Sequence, residues 1–506
     1  MASADHRPVK VRDLDKVAPV KFLAVDLGAE SGRAFVAMLD GQRISLEEVH
    51  RFQNVPVELS GHWHWDLTEL FQQLKDSLKL AVEKGHSDIV SIGVDTWGVD
   101  FGLVRKSDGT LSPPFTYRDS RTNGTMERVF SKIPREEIYS RTGIQLMQIN
   151  SVFQLYSLME DPGNCWDDFD SLLFMPDIFN YLLTGRQVSE YTIASTSQLL
   201  NAESRKFDET IFSTLGFPSR LMRPIVMPGQ VIGKLLPDIA AEVGLKHLDV
   251  IAVGSHDTAS AVAAIPASGT GWAYLSSGTW SLIGVESDGP IIGGESLAGN
   301  FTNEGGVGGK ITFLQNITGM WFLQEVMRRW ESNGRRYTYE ELIAAASGAR
   351  AFKCMFDPAD DIFLNPPDMY QAIVSFCRKT GQACPQTMGE LVRSIFESLA
   401  FKYKSALAKL TAVTGRKIER LHVVGGGSQN EMLNRFTADA AGIPVVAGPV
   451  EATVVGNALT QAMALGRVGS LDLARKIVAN SFQLKKYLPE NTREWDEAYK
   501  SAPFNF

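Results

Sequence analysis

One pattern of apolar stretches occurs twice in this 506-residue chain, and it limits the folds open to it. The first copy begins with "FLAVDLG", "RAFVAML" and "ISLEEVHRF", joined by links so short that the three must form an antiparallel meander. Asp66, with Glu69 three residues on, starts a helix in the manner of a capping box. Leu70, Phe71, Leu74, Leu78 and Val82 then fall on one helical face, and Gly85 ends it. The next stretch, "DIVSIGVD", is apolar almost throughout, as a strand buried on both faces of a sheet must be. The second copy opens with "WAYLSS" and "TWSLIGVES" around Gly278 and continues with "KITFLQNI". Helical patterns follow over about 320–331 and 388–412, and then the strand "RLHVVGGG".

A strand-strand-strand-helix-strand unit used twice is the plan of the actin-like, RNase-H-like nucleotide-binding folds. The expected class is therefore α/β, with two such domains and a cleft between them. The small residues and proline of "AAIPASGTG" put a boundary at about 262–270. The expected division is a polar N-terminal extension over 1–20, domains over 21–265 and 266–490, and a tail over 491–506.

A net charge of -8 argues against a nucleic-acid partner, because affinity for a phosphate backbone needs a basic face. No apolar run is long enough to span a membrane, and the first twenty residues have no signal-peptide core. Four cysteines without CxxC spacing fit a reducing compartment, so the expected location is cytoplasmic. His62 and His64 lack a third zinc ligand, and "DPADD" lacks the ligand spacing of a calcium loop.

Three turns could carry chemistry. In "VDLGAESGR" the acidic Asp26 closes a buried strand and small residues follow, but no lysine makes this a Walker A loop. Asp26 could simply bond turn amides. Alternatively, the N–H groups of Ala29–Arg33 face phosphate oxygens while Asp26 approaches Mg²⁺ through water. Gly425–Gly427 end a strand before "NEMLNRFTADAAG"; they serve either a tight turn or a ligand at an open helix N-terminus. In "VIAVGSHDTASAV", Asp257 is either a helix N-cap or a carboxylate that accepts the proton of an attacking hydroxyl.

Seven strings, "VDLGAESGR", "DTWGVDFGLV", "YRDSRTNG", "GSHDTASAV", "YLSSGTWSL", "VVGGGSQN" and "VEATVVGN", follow in the order found in the FGGY family of carbohydrate kinases. From about residue 21 to about residue 490 the chain resembles that family. The resemblance implies a cleft that binds nucleotide and sugar, with ATP and Mg²⁺ as cofactors and a small ketose as partner. It implies that Asp257 is the catalytic base and that Asp26 approaches the metal. ATP contacts would fall on Ala29, Glu30, Ser31, Gly32 and Arg33 and on Thr279, Asn316, Gln324 and Gly426, and sugar contacts on Gly98, His256, Asp257 and Thr258. Glu30 departs from the family, which usually has serine there, and this leaves a backbone contact rather than a side-chain one. The implied reaction is ATP-dependent phosphorylation of the 1-hydroxyl of L-rhamnulose in L-rhamnose catabolism. L-fuculose or L-xylulose is the alternative substrate, and a non-catalytic actin-like sugar sensor is the alternative class.

Overall fold

The computed structural model describes residues 18–161, 163, 165–363 and 366–506; residues 1–17 of the expected extension lie outside it. β1 (Val20–Leu27), β2 (Ser31–Asp40) and β3 (Arg43–Gln53) form the expected meander, each pair antiparallel. The chain then enters α1 (Leu67–Glu83), where Asp66 caps the first turn by accepting a hydrogen bond from Glu69 N at 3.0 Å. Gly85, at φ +90°, turns the chain out of α1 in a conformation that glycine adopts without strain. Leu70, Leu74, Leu78 and Ala81 of α1 pack on Leu23, Val25, Ile92 and Val94 of the sheet in one core. The strand Ile89–Thr96 runs parallel to β1 on the side away from β2, as an αβ return requires. The finished sheet has the order Val231–Lys234, Asp249–Ile251, Ile89–Thr96, β1, β2, β3.

The second sheet repeats this order. Ile311–Thr318, Trp280–Ser287, Trp272–Ser277 and Arg420–Val424 stand side by side as β3, β2, β1 and Ile89–Thr96 do. Val445–Ala447 and Lys485–Tyr487 extend the sheet beyond them. Trp272–Ser277 pairs antiparallel with the strand after it and parallel with Arg420–Val424. The long helix before Arg420 spans Met388–Thr414 and is capped by Thr387.

Between Phe101 and Leu221 the chain builds a further core that periodicity had not outlined. It is centred on Phe153, Leu172, Phe174, Ile193 and Ile211, all fully buried.

Packing divides the chain into two units. The first takes the described residues up to Pro266 together with Glu286–Phe313 and Ala452–Phe482. The second takes Ala267–Val285, Leu314–Glu451 and Gln483–Phe506. Two stretches beyond residue 270, Glu286–Phe313 and Ala452–Phe482, thus return to pack with the first unit. The helix Ala452–Ala464 shows why. Gln461 Nε2 donates to Leu23 O at 2.9 Å, and Asn457 Nδ2 donates to Gly93 O at 3.1 Å. Gly456 lies so close to the helix Asp257–Ala263 that a Cβ there would collide with the Ser260 carbonyl oxygen. At Gly426, by contrast, a Cβ would meet nothing within 4 Å. Gly456→Ala should therefore lower stability by about 1–3 kcal/mol, the usual cost of overpacking, and Gly426→Ala should leave it unchanged. Thermal unfolding followed by circular dichroism measures both, and an unchanged midpoint in Gly456→Ala would contradict the close approach.

Candidate active site

The parallel register of β1 and Ile89–Thr96 sets Asp26 beside Asp95, so the two carboxylates share the carboxyl end of the sheet. Open α/β sheets bind ligands at that edge. A third carboxylate arrives on the next segment. Thr96 N donates to Ser255 O at 2.8 Å and Thr96 bridges His256, so the "SHDT" turn starts where the strand Ile89–Thr96 stops. Asp26 is 5% exposed and its Oδ2 accepts from Arg33 Nε at 2.9 Å and Nη2 at 2.7 Å. Asp95 is fully buried. Its Oδ2 accepts from Asn457 Nδ2 at 2.6 Å, while its Oδ1 has no hydrogen-bond partner among the described residues. Burial, with the neighbouring Asp26 charge, holds the Asp95 carboxyl well above the usual carboxylate range.

Asp257 is the first residue of the helix Asp257–Ala263. The cap position belongs to His256, whose side chain makes no capping bond. The Asp257 side chain is 36% exposed, and Thr258 Oγ1 donates to its Oδ1 at 3.1 Å. Loss of water around the carboxyl raises its pKa; the His256 charge opposes that rise, and Asp26 adds to it. His256 Nε2 lies 3.5 Å from Asp257 Oδ1, and His256 Nδ1 lies 3.2 Å from Glu304 Oε2. The turn is fixed from beneath: His256 N donates to Thr192 Oγ1 at 3.1 Å, and Thr192 Oγ1 donates to the buried Glu190 Oε2 at 2.5 Å.

Gly98 borders the same place. A Cβ there would lie 3.2 Å from Thr196 Oγ1 and 3.4 Å from His256 Nε2. Val99 follows at φ +68°, an uncommon conformation for a β-branched residue, with its N–H donating to Thr196 Oγ1 at 3.2 Å and its carbonyl accepting from Ser151 Oγ. Strain of this kind costs about 1–3 kcal/mol and persists where the surroundings enforce it. Asp100 is the anchor. Its Oδ2 accepts from Trp65 Nε1 at 2.7 Å, Trp97 Nε1 at 3.0 Å and Tyr117 N at 3.2 Å, and its Oδ1 accepts from Gln154 Nε2 at 2.8 Å.

Of the first-loop residues, Ala29 and Glu30 form the turn, whereas Ser31, Gly32 and Arg33 already belong to β2. Glu30 and Ser31 are exposed. A Cβ at Gly32 would collide with the Phe52 ring, so its small size also serves packing.

The remaining predicted residues lie in the second unit, where parallel strands again set two turns side by side. Trp272–Ser277 and Arg420–Val424 are parallel, so the turns that follow them are neighbours, and a Cβ at Gly427 would collide with Ser277 Oγ. Thr279 lies in the turn after Trp272–Ser277, and its carbonyl accepts from Gly319 N at 3.1 Å and Trp321 N at 3.2 Å. Asn316 is on the strand Ile311–Thr318. Gln324 is on the helix Trp321–Ser332, where its Oε1 is buried without a hydrogen-bond partner among the described residues. The open helix N-terminus expected after Gly427 does not form. A 3₁₀ turn, Gly426–Gln429, intervenes, and Asn430 caps the helix Glu431–Ala441 by accepting from Leu433 N at 3.0 Å.

Among the described residues no three His, Cys, Asp or Glu side chains are grouped to hold a metal ion. Mg²⁺ binds mainly through water with one or two carboxylates, and Asp26 beside the orphaned Asp95 Oδ1 fits that donor set.

The sequence matches the N-terminal domain of the FGGY family of carbohydrate kinases over residues 21–264 and the C-terminal domain over residues 273–465. The chain belongs to the FGGY family. The rhamnulokinase of Bacteroides thetaiotaomicron is 48% identical to it over 478 residues, covering 94% of this chain and 98% of that one. The rhamnulokinase of Halalkalibacterium halodurans is 42% identical over 466 residues, 92% and 98% of the two chains. Among solved structures, gluconate kinase from Lactobacillus acidophilus superposes with a TM-score of 0.78 at 15% identity, over 95% of this chain and 96% of that one. Plasmodium falciparum glycerol kinase with ADP gives 0.77 at 15% identity, over 96% and 99%. These likenesses establish the two-domain actin-like fold of FGGY kinases. Among the described residues no helix is long and apolar enough to cross a membrane.

Three residues beside these turns escaped sequence reasoning. Asp95 had a readable signal, since "VSIGVDT" ends an apolar strand on Asp as "FLAVDL" does; Asp100 and Glu304 had none of that kind. Burial, opposed by the bonds from Gln154, Trp65 and Trp97, pushes the Asp100 carboxyl up to about 6. Between roughly pH 4 and 6 the folded chain therefore holds this proton more tightly than the unfolded chain, and the stability it contributes in acid is lost as pH rises through about 6. Asp100→Asn should remove that part of the pH dependence. Urea unfolding at pH values on either side of the transition measures it, and an unaltered pH slope in the variant would contradict the assignment.

Proposed function

We propose that this FGGY kinase transfers the γ-phosphoryl group of ATP to the 1-hydroxyl of L-rhamnulose, yielding L-rhamnulose 1-phosphate and ADP, as a step of L-rhamnose catabolism. The observation that carries this reading is the identity of 38–48% to seven rhamnulokinases, each matched over at least 92% of this chain.

In the proposed reaction the O–H bond of the 1-hydroxyl breaks as its oxygen bonds to the γ-phosphorus; the bond from that phosphorus to the ADP oxygen breaks, and the proton passes to Asp257. Asp257 suits that role because its side chain is partly exposed, Thr258 orients one oxygen, and the His256 charge favours the ionised form. Gly98 leaves room beside His256 Nε2 for the sugar. The turn at Ala29 and Glu30, with Ser31, Gly32 and Arg33, is proposed to hold phosphates, and Thr279, Asn316, Gln324 and Gly426 the rest of the nucleotide. Mg²⁺, when bound, supplies positive charge to the phosphate oxygens, and Asp26 would hold it through water. Phosphoryl transfer needs little more than positioning and charge stabilisation.

A coupled ADP-release assay across a ketose panel tests the substrate. L-rhamnulose should have the highest kcat/KM, and a higher value for L-fuculose or L-xylulose would overturn the substrate while leaving the kinase. Asp257→Asn should lower kcat by ~10² to 10⁴, with a much smaller change in sugar binding. If that variant kept more than about a tenth of the turnover, Asp257 would not be the base. Asp26→Asn should raise the Mg²⁺ concentration needed for half-maximal rate; an unchanged requirement would remove Asp26 from the metal site.

A further inference from the structure

Glu304 lies on the short strand Thr302–Gly305, in a stretch that no functional motif of the sequence covers. It is 6% exposed, and His256 is 8% exposed. Glu304 Oε2 and His256 Nδ1 stand 3.2 Å apart, and neither atom has a hydrogen-bond partner among the described residues. Two buried polar atoms with nothing else to bond, set at ion-pair distance, call for a proton between them. The other ring nitrogen faces Asp257 Oδ1 at 3.5 Å. An imidazole with a carboxylate at each nitrogen can offer a proton to both only in its doubly protonated form. The strand that carries Glu304 is itself held: Gly305 N donates to Ser195 Oγ at 2.8 Å, on the same helix, Tyr191–Thr196, whose Thr192 receives the His256 N–H.

We propose that Glu304 is a positioning residue that keeps His256 as an imidazolium against Asp257, so that the carboxylate which takes the hydroxyl proton remains ionised. The proposal rests on the reading of Asp257 as the base. The charged groups acting on His256 are Glu304, Asp257 and Glu190. Those acting on Asp257 are His256 and Asp26, and Asp95 feels Asp257 in turn. Burial draws the His256 ring down, but Glu304 foremost, with Asp257 and Glu190, raises it to about 9. Without Glu304, burial acts with less opposition, the ring loses its charge near neutrality, and Asp257 loses the cation that offsets its acidic neighbour Asp26.

Titration of ring-labelled histidines by NMR, with the His256 signal assigned from its absence in His256→Gln, reads the pairing without reference to turnover. In Glu304→Gln the His256 midpoint should fall by ~1–3 pH units, the effect of losing an adjacent opposite charge. The acid limb of kcat/KM should move to higher pH at the same time. Glu304→Asp, which keeps the charge, should retain a raised midpoint. A His256 midpoint unchanged in Glu304→Gln would overturn the proposal, as would a rate lowered equally at every pH with the acid limb unmoved. If Asp257→Asn kept its turnover, the base assignment would fail, and the His256 titration would still decide the pairing by itself.

Discussion

The parallel pairing of β1 with Ile89–Thr96 is the constraint from which the site follows. It aligns Asp26 with Asp95, and the backbone link from Thr96 to Ser255 brings Asp257 to the same edge. Three carboxyl groups so placed oppose folding, since burying each ion costs several kcal/mol unless it is paired. The first unit answers each one separately. Arg33 takes Asp26 with two hydrogen bonds, Asn457 donates one to Asp95, whose carboxyl burial holds above the usual carboxylate range, and His256 faces Asp257. Two of these partners, Arg33 and His256, are cations next to a proposed phosphate and sugar site. The third comes from a helix that the chain supplies only after completing much of the other unit.

The second unit uses the same strand order for different ends. Where the first unit places acids at the ends of its paired parallel strands, the second places Gly278, Thr279 and Gly425–Gly427 just after its own. Small residues there let backbone approach a flat or charged ligand, while acids in the first unit suit metal and proton transfer. One topology, repeated, thus supplies two kinds of edge, and the residue types at the strand ends decide which.

Much of this was legible along the chain. The meander, α1 and the following strand could be read because each is local: short links, a cap at Asp66, and an apolar run needing two covered faces. Asp26 could be singled out because an acid at the end of a buried strand is costly without a purpose, and Asp257 because it opens a helix just after an apolar strand. Pairings between distant segments could not be read. Asp95 meets Asp26 only through strand register, Glu304 meets His256 only through the return of Glu286–Phe313, and Asn457 had a quoted motif but no visible partner. The cap at Asn430 was missed for a different reason. The triple glycine drew attention to the turn, while the Asn just beyond it, a preferred cap residue, closes the helix end.

The most direct measurement of the central claim is the ³¹P NMR spectrum of the product made from MgATP and L-rhamnulose. Transfer to the primary 1-hydroxyl gives a new phosphomonoester coupled to the two protons on C1, appearing as ADP appears. A phosphorus coupled to a single carbon-bound proton would place the group on a secondary hydroxyl, and release of inorganic phosphate alone would mean that the sugar is not the acceptor. Either result would contradict the account.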